Sequence, residues 1–89
     1  MSDIPVYRFV RPVAVSIVDD RLTVRLEDER VIATPLVWYH WLMEAPESAR
    51  SNVELLPDAI FWPELDEGLE IEGMLRGLRP AQLDHLPNP

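Results

Sequence analysis

The chain has 89 residues, 47% of them hydrophobic, and a formal net charge of −8 at pH 7. This length and composition predict one small globular domain with an apolar core, and they exclude an intrinsically disordered chain. The sequence contains no cysteine, which excludes a disulfide framework, a thiolate zinc site and a cysteine nucleophile.

The N-terminal segment, MSDIPVYRFV, lacks the basic start and the long apolar run of a secretory signal. No apolar stretch approaches the roughly 20 residues that are needed to cross a bilayer. We therefore expect a cytoplasmic protein that makes no contact with a membrane. Residues 4–10 are expected to form either a separate strand or the first half of a longer strand that bends at Pro12.

Alternating apolar and polar residues then predict three short strands, in the segments RPVAVSIVDD, RLTVRLEDER and RVIAT. Buried side chains of the first two strands are expected at Val13, Val15, Ile17, Leu22, Val24 and Leu26. Turn signals at residues 19–20 and 27–29 separate the strands. Because the two loops are short, the strands are predicted to form an antiparallel meander.

The alternation of apolar and polar residues stops at Thr34, which is a favourable N-cap residue. Pro35 suits the first position of a helix. The segment PLVWYHWLMEA is therefore predicted to form the main helix, about three turns long. This helix would cover the apolar face of the meander. Val37 and Trp41 lie one turn apart on a line of their own, away from the two faces that carry the other apolar residues.

The C-terminal half predicts shorter elements. The segment PESARSN is expected to form a short helix. The segment AIFW is expected to form a strand that ends at Pro63 and places Trp62 in the core. The segment EIEGMLRG is expected to form a short helix with Gly77 as its C-cap. Strands followed by helices indicate an α+β fold. We expect a small antiparallel sheet of three to four strands, packed against one main helix, plus a short C-terminal helix. Residues 1–77 would form this single domain and residues 78–89 a proline-containing tail.

Five acidic residues lie close together after the predicted AIFW strand, namely Glu64, Asp66, Glu67, Glu70 and Glu72. Their spacing does not fit a calcium loop, which needs oxygen ligands at alternating positions around a central glycine. A transition-metal site would normally include a nearby histidine, and a catalytic carboxylate pair would need a cleft. A solvated acidic edge is the favoured interpretation, with a metal site and a catalytic pair as the alternatives.

The sequence offers little support for an enzyme. His40 lies in WYHWL with no nucleophile or orienting carboxylate that the sequence identifies, and His85 lies in the tail. No serine stands in a nucleophile-elbow pattern, and the three glycines form no phosphate-binding loop. We therefore expect no enzymatic activity and no cofactor.

The charge is distributed unevenly along the chain. Residues 1–33 carry six acids and five arginines, whereas residues 34–89 carry ten acids and three arginines. Direct binding to nucleic acid is not expected, because phosphate recognition needs a basic stripe. A basic protein is the better electrostatic match. A homodimer is the other expected assembly, since so small a domain buries limited surface by itself.

Three segments resemble a family of small bacterial proteins, domain of unknown function twenty-four forty-two. The segments are RLTVRLEDERVIATPLVWYHWL, APESARSNVEL and AIFWPELDEGLEIEGMLRG, and the resemblance spans residues 12–77. Its most specific part is the Trp-Pro-x-Leu-Asp-Glu stretch at residues 62–67. The resemblance implies an α+β domain with no assigned catalysis. It also implies a link to antitoxins, since some members are antitoxin-like and lie beside genes for small toxins.

This chain departs from the pattern of the family that it resembles. The family commonly has a glycine in the turn at residues 27–29, polar residues where Val37 and Trp41 stand, and a histidine at Phe61. Ile60 and Trp62 would alternate inward, so Phe61 is expected to point outward. We expect Val37, Trp41 and Phe61 to form an exposed apolar patch, since tryptophan is favoured at binding hot spots. For Trp41, the alternative is a place at the rim of the core.

The favoured function is a non-enzymatic protein-interaction module, an antitoxin-like acidic protein that neutralises a basic, toxin-like partner. The three apolar side chains would anchor that partner and the five acidic residues would steer it. One alternative is an acidic DNA mimic that inhibits a nucleic-acid-binding protein. A small ligand-binding or metal-binding domain is the other.

Overall fold

The structure, a computed structural model, describes residues 10–78. Its strands are β1 (Pro12–Val18), β2 (Arg21–Leu26), β3 (Val31–Pro35), β4 (Glu54–Leu55), β5 (Ala59–Trp62) and β6 (Glu67–Glu70). Its helices are a 3₁₀ turn (Leu36–Trp38), α1 (His40–Met43), α2 (Glu47–Arg50) and α3 (Ile71–Leu75). The strand expected over residues 4–10 and the tail expected over residues 78–89 lie outside the described residues, apart from Val10 and Leu78.

The strands form two antiparallel sheets. The N-terminal sheet has the order β1-β2-β3 and is the predicted meander, and the C-terminal sheet has the order β4-β5-β6. The α+β class is confirmed, but the expected single sheet on one main helix is wrong. The second sheet was missed because β4 has two residues and β6, with the sequence EGLE, has one apolar side chain. Neither segment shows a strand period by itself.

One buried cluster joins the inner faces of both sheets. Its members are Leu22, Val24, Leu26, Ile32, Leu36, Tyr39, Leu42, Ile60, Trp62, Leu69, Ile71 and Met74. The predicted inward residues of β2 are therefore confirmed, and Val15 and Ile17 of β1 pack against the cluster. Val13 is 41% exposed, so its predicted burial is wrong. The β1–β2 register shifts between Pro12 and Ala14, and such an irregularity turns the next side chain to the other face.

The predicted main helix is replaced by two short turns. β3 continues to Pro35, and Thr34 is buried within it rather than serving as an N-cap. The backbone of Tyr39, with φ −121° and ψ 80°, breaks the helix between the 3₁₀ turn and α1. This break lets Leu36, Tyr39 and Leu42, three residues apart, all enter the core. That spacing suits a 3₁₀ turn better than the 3.6-residue period of an α-helix.

The two short helices predicted further along the chain are confirmed. PESARSN contains α2, and EIEGMLRG contains α3. Gly77 has φ +77°, and its N–H donates to the Met74 carbonyl at 3.0 Å while the Leu78 N–H donates to the Gly73 carbonyl at 3.0 Å. This pair of bonds is a Schellman motif, which ends α3 and favours glycine at the left-handed position.

The turn between β2 and β3 holds a non-glycine residue in the left-handed region. The Glu29 N–H donates to the Leu26 carbonyl at 2.9 Å, and Glu29 has φ 77°. This is a three-residue hairpin loop in which the last position favours glycine. The Asp28 carboxylate accepts the backbone N–H of Arg30 at 3.1 Å and its Nε at 2.8 Å. These contacts, the backbone bond most of all, lower the pKa of Asp28 below its ordinary value.

Replacing Glu29 by glycine is expected to raise the free energy of unfolding by about 0.5–1 kcal/mol, because relief of left-handed strain exceeds the added chain entropy. Urea unfolding measures the change. Glu27→Gly is the matched control, since Glu27 lies in the same loop without a positive φ, and it is expected to lower stability. A loss of stability in Glu29→Gly would show that its backbone is not strained.

Candidate functional site

The side chains of β5 point alternately to the two faces of the C-terminal sheet. Ile60 and Trp62 are fully buried, whereas Phe61 between them is half-buried. Phe61 therefore lies on the face opposite the core, as the alternation predicts.

Trp41 lies on the core side of the same sheet. It is half-buried and packs edge-on against Trp62, with ring centroids 5.3 Å apart, and its ring lies 5.9 Å from that of Tyr39. Trp41 thus occupies the rim of the core, which was the alternative interpretation. Val37 is 53% exposed in the 3₁₀ turn. The structure does not bring Trp41 and Phe61 together, because they lie on opposite faces of β5.

The five acidic residues are also separated by the fold. Glu64 and Asp66 lie in the turn between β5 and β6, where the Asn52 amide donates to Glu64 at 3.0 Å. Glu67 is half-buried and pairs opposite Trp62, so it faces the core side. Glu72 lies on α3 with its carboxylate 3.9 Å from the Arg76 guanidinium. Glu70, which is exposed, is the member of this group on the outer face of the sheet.

Strand pairing adds a carboxylate that sequence reasoning missed. Glu54 of β4 and Gly68 of β6 both pair opposite Phe61, and Glu70 pairs opposite the neighbouring Ala59. Directly opposed residues of antiparallel strands share a face. These residues, Glu54, Ala59, Phe61, Gly68 and Glu70, are called the Phe61 face below. Only the strand pairing shows that Glu54 lies on this face, because a strand of two residues has no recognisable sequence period.

Gly68 allows the Phe61 ring to lie close to the sheet. A Cβ at Gly68 would stand 3.2 Å from Cδ1 of Phe61 and 3.1 Å from the Ile60 carbonyl oxygen. The absence of a side chain at this position therefore leaves room for the aromatic ring over the backbone of β6. The result is a half-buried aromatic ring with an exposed carboxylate on each neighbouring strand.

Within residues 10–78, no three histidine, aspartate or glutamate side chains converge as they would around a metal ion. His40 begins α1 and is exposed. No helix in the described part of the chain is both long and apolar enough to cross a membrane.

The family model described as "Protein of unknown function (DUF2442)" matches residues 12–80. The chain belongs to the DUF2442 family. The resemblance carried by the Trp-Pro-x-Leu-Asp-Glu stretch is therefore confirmed. This DUF2442 domain is also similar to a crystal structure of a protein of unknown function from Rhodospirillum rubrum, with a TM-score of 0.71 and 22% identity over 85% of this chain and 96% of that chain. This likeness shows the fold. No curated protein matches the DUF2442 chain.

Proposed function

We propose that this DUF2442 chain is a non-enzymatic protein-interaction module whose Phe61 face binds a basic protein. The observation that supports the proposal is the position of Phe61, on the outer face of the C-terminal sheet between Glu54 and the strand that carries Glu70. An aromatic ring beside acidic groups suits a partner surface that carries arginine or lysine.

The two kinds of side chain on this face would have different roles. Burial of the exposed part of Phe61 contributes affinity, because complete burial of a phenylalanine is worth about 1.5–3 kcal/mol. The ring can also take a guanidinium or ammonium group against its face. Glu54 and Glu70 are exposed, so they act mainly on the association rate and on its dependence on salt.

The rest of the acidic half extends this electrostatic field. Residues 34–89 carry ten acids and three arginines. Exposed carboxylates near the Phe61 face, such as those of Glu64 and Asp66 in the adjoining turn, add to the negative potential that attracts a basic protein. This charge favours an antitoxin-like role, in which the domain neutralises a basic toxin. It disfavours a homodimer through the same face, because Glu54 and Glu70 would meet their own copies.

The proposal is tested by capture from the native host, followed by calorimetry with the purified captured protein. We expect a basic partner whose dissociation constant rises about 10-fold to 100-fold with Phe61→Ser. In Glu54→Gln/Glu70→Gln, the association rate should fall and its salt dependence should weaken. Leu55→Ser is the matched control, since Leu55 is 43% exposed on β4 and pairs opposite Ile60, not Phe61.

Circular dichroism and urea unfolding of each variant show whether the fold persists. An acidic partner would contradict the proposal, and so would an affinity that Phe61→Ser leaves unchanged in a folded variant. A doubled mass of the isolated chain that Phe61→Ser abolishes would identify the face as a homodimer contact instead.

A further inference from the structure

A groove lies between β1 and α2, on the edge of the N-terminal sheet. Its volume is about 280 Å³. Val15, Ser16 and Ile17 of β1 line one side, and Glu47 and Arg50 of α2 line the other. The segment that leads to β4 supplies Val53 to the same lining. The groove therefore combines a strand edge, apolar side chains and one guanidinium group.

Arg50 brings a guanidinium side chain to this lining. Its Nε is shielded from solvent and has no hydrogen-bond partner among the described residues. The backbone of Arg50 is held in place, because its carbonyl accepts the Trp62 indole N–H at 3.0 Å. A buried donor without an acceptor is unfavourable, because it has given up its hydrogen bonds to water. A rotation of the side chain that brings the guanidinium to an acceptor in the groove would remove this cost, and a carboxylate is the strongest partner for a guanidinium.

The backbone of β1 presents further donors and acceptors to the groove. β1 is an edge strand, and the two-residue loop after it joins the pair Val18 and Arg21. In such a hairpin the closing pair is hydrogen-bonded and the pairs alternate along the ladder. Ser16 thus bonds with Thr23 of β2, whereas the N–H and C=O groups of Val15 and Ile17 point to the free edge. No other strand described in the structure pairs with this edge.

We propose that this groove binds the C-terminal end of an extended segment of a partner protein. The terminal carboxylate accepts hydrogen bonds from the Arg50 guanidinium, which turns toward the groove, and the preceding residue pairs with the backbone of Val15 or Ile17. A chain end fits better than a continuous strand, because β1 and β4 approach each other and leave too little room for a full strand between them. Capture of a terminal carboxylate and pairing at a strand edge are both established modes of peptide recognition.

Glu47 lines the same groove and opposes the binding of a carboxylate. Its exposed carboxylate repels an anion at long range, so it weakens the affinity that Arg50 provides. The proposal goes beyond the function of the Phe61 face, which attracts cations and lies on the other sheet. The two sites can therefore succeed or fail independently.

The test is an NMR titration of the full ¹⁵N-labelled chain with acetylated Val-Thr-Val that ends in a free carboxylate. We expect shifts at the amides of Val15 and Ile17 and at the Arg50 Nε–H. The same peptide with a C-terminal amide should bind about 10-fold more weakly, and Arg50→Met should weaken the free acid by a similar factor. Glu47→Gln should tighten binding. Arg76→Met is the control, since Arg76 lies after α3 and outside the groove, and it should change nothing.

Four results would overturn the proposal. They are no shifts in the groove, equal binding of the acid and amide peptides, equal shifts with sodium acetate alone, and groove shifts that follow protein concentration without peptide. The third result would mean a simple anion site, and the last would mean that a second copy occupies the β1 edge. A thermal melt of Arg50→Met checks its fold, which we expect to persist because the substitution keeps the carbonyl that bonds to Trp62. Phe61→Ser should leave the peptide titration unchanged.

Discussion

Replacing Trp62 by alanine is expected to lower the free energy of unfolding by about 3–5 kcal/mol, the usual cost of removing a buried aromatic side chain. Trp62 is the largest fully buried side chain of the described residues and packs edge-on against Trp41. A domain of this size has about 5–15 kcal/mol of stability in total. The variant should therefore be partly unfolded, as measured by urea titration followed by circular dichroism.

The indole N–H accounts for a separate part of this loss. In Trp62→Phe, most of the apolar contact remains, but the Arg50 carbonyl loses the hydrogen bond of 3.0 Å that it receives from Nε1. Because this bond is part-buried, its loss is expected to cost about 0.5–1.5 kcal/mol. Val37→Ala is the control, since Val37 is 53% exposed, and its effect should stay within about 0.5 kcal/mol. A comparable loss in Val37→Ala, or an unchanged stability in Trp62→Ala, would contradict the packing described above.

Replacing Tyr39 by alanine is also expected to lower the free energy of unfolding by about 3–5 kcal/mol. Tyr39 is fully buried where the predicted helix is broken, and its hydroxyl donates to Thr34 Oγ1 at 3.2 Å. Tyr39→Phe retains the ring and should cost about 0.5–1.5 kcal/mol. These values are measured by urea unfolding.

A double-mutant cycle distinguishes the observed break from a continuous helix. If Thr34 bonds to Tyr39, the effects of Thr34→Val and Tyr39→Phe are less than additive, because either substitution already removes the same hydrogen bond. If Thr34 were instead an N-cap, the stability lost in Thr34→Val would add fully to the stability lost in Tyr39→Phe. Additive effects would therefore contradict the buried contact between the two side chains.

The core contact of Trp62 links the two proposed binding surfaces. Trp62 follows Phe61 on β5, and its indole holds the carbonyl of Arg50 at the groove. Loss of Trp62 should therefore impair both the Phe61 face and the groove, whereas Phe61→Ser and Arg50→Met should each affect one. A variant at Trp62 is consequently unsuitable as a probe of either binding function alone.

Several features followed from the sequence because they depend on neighbours along the chain. The alternation at Leu22, Val24 and Leu26 predicted an inward face of β2, and the alternation around Phe61 predicted that its side chain points outward. Gly77 predicted the end of α3, since a left-handed C-terminal residue favours glycine whatever surrounds it. The Trp-Pro-x-Leu-Asp-Glu stretch indicated the family.

Other features were decided by contacts between distant segments. The register shift that exposes Val13 and the pairing that places Glu54 beside Phe61 are properties of two strands, and neither strand encodes them alone. The break at Tyr39 exists because the core accepts a side chain at every third position there, although the local sequence favours a continuous helix. The sequence by itself therefore determined the periodic elements and their ends. Only the tertiary structure decided which side chains share a surface, because strand pairing and burial depend on residues far apart in the chain.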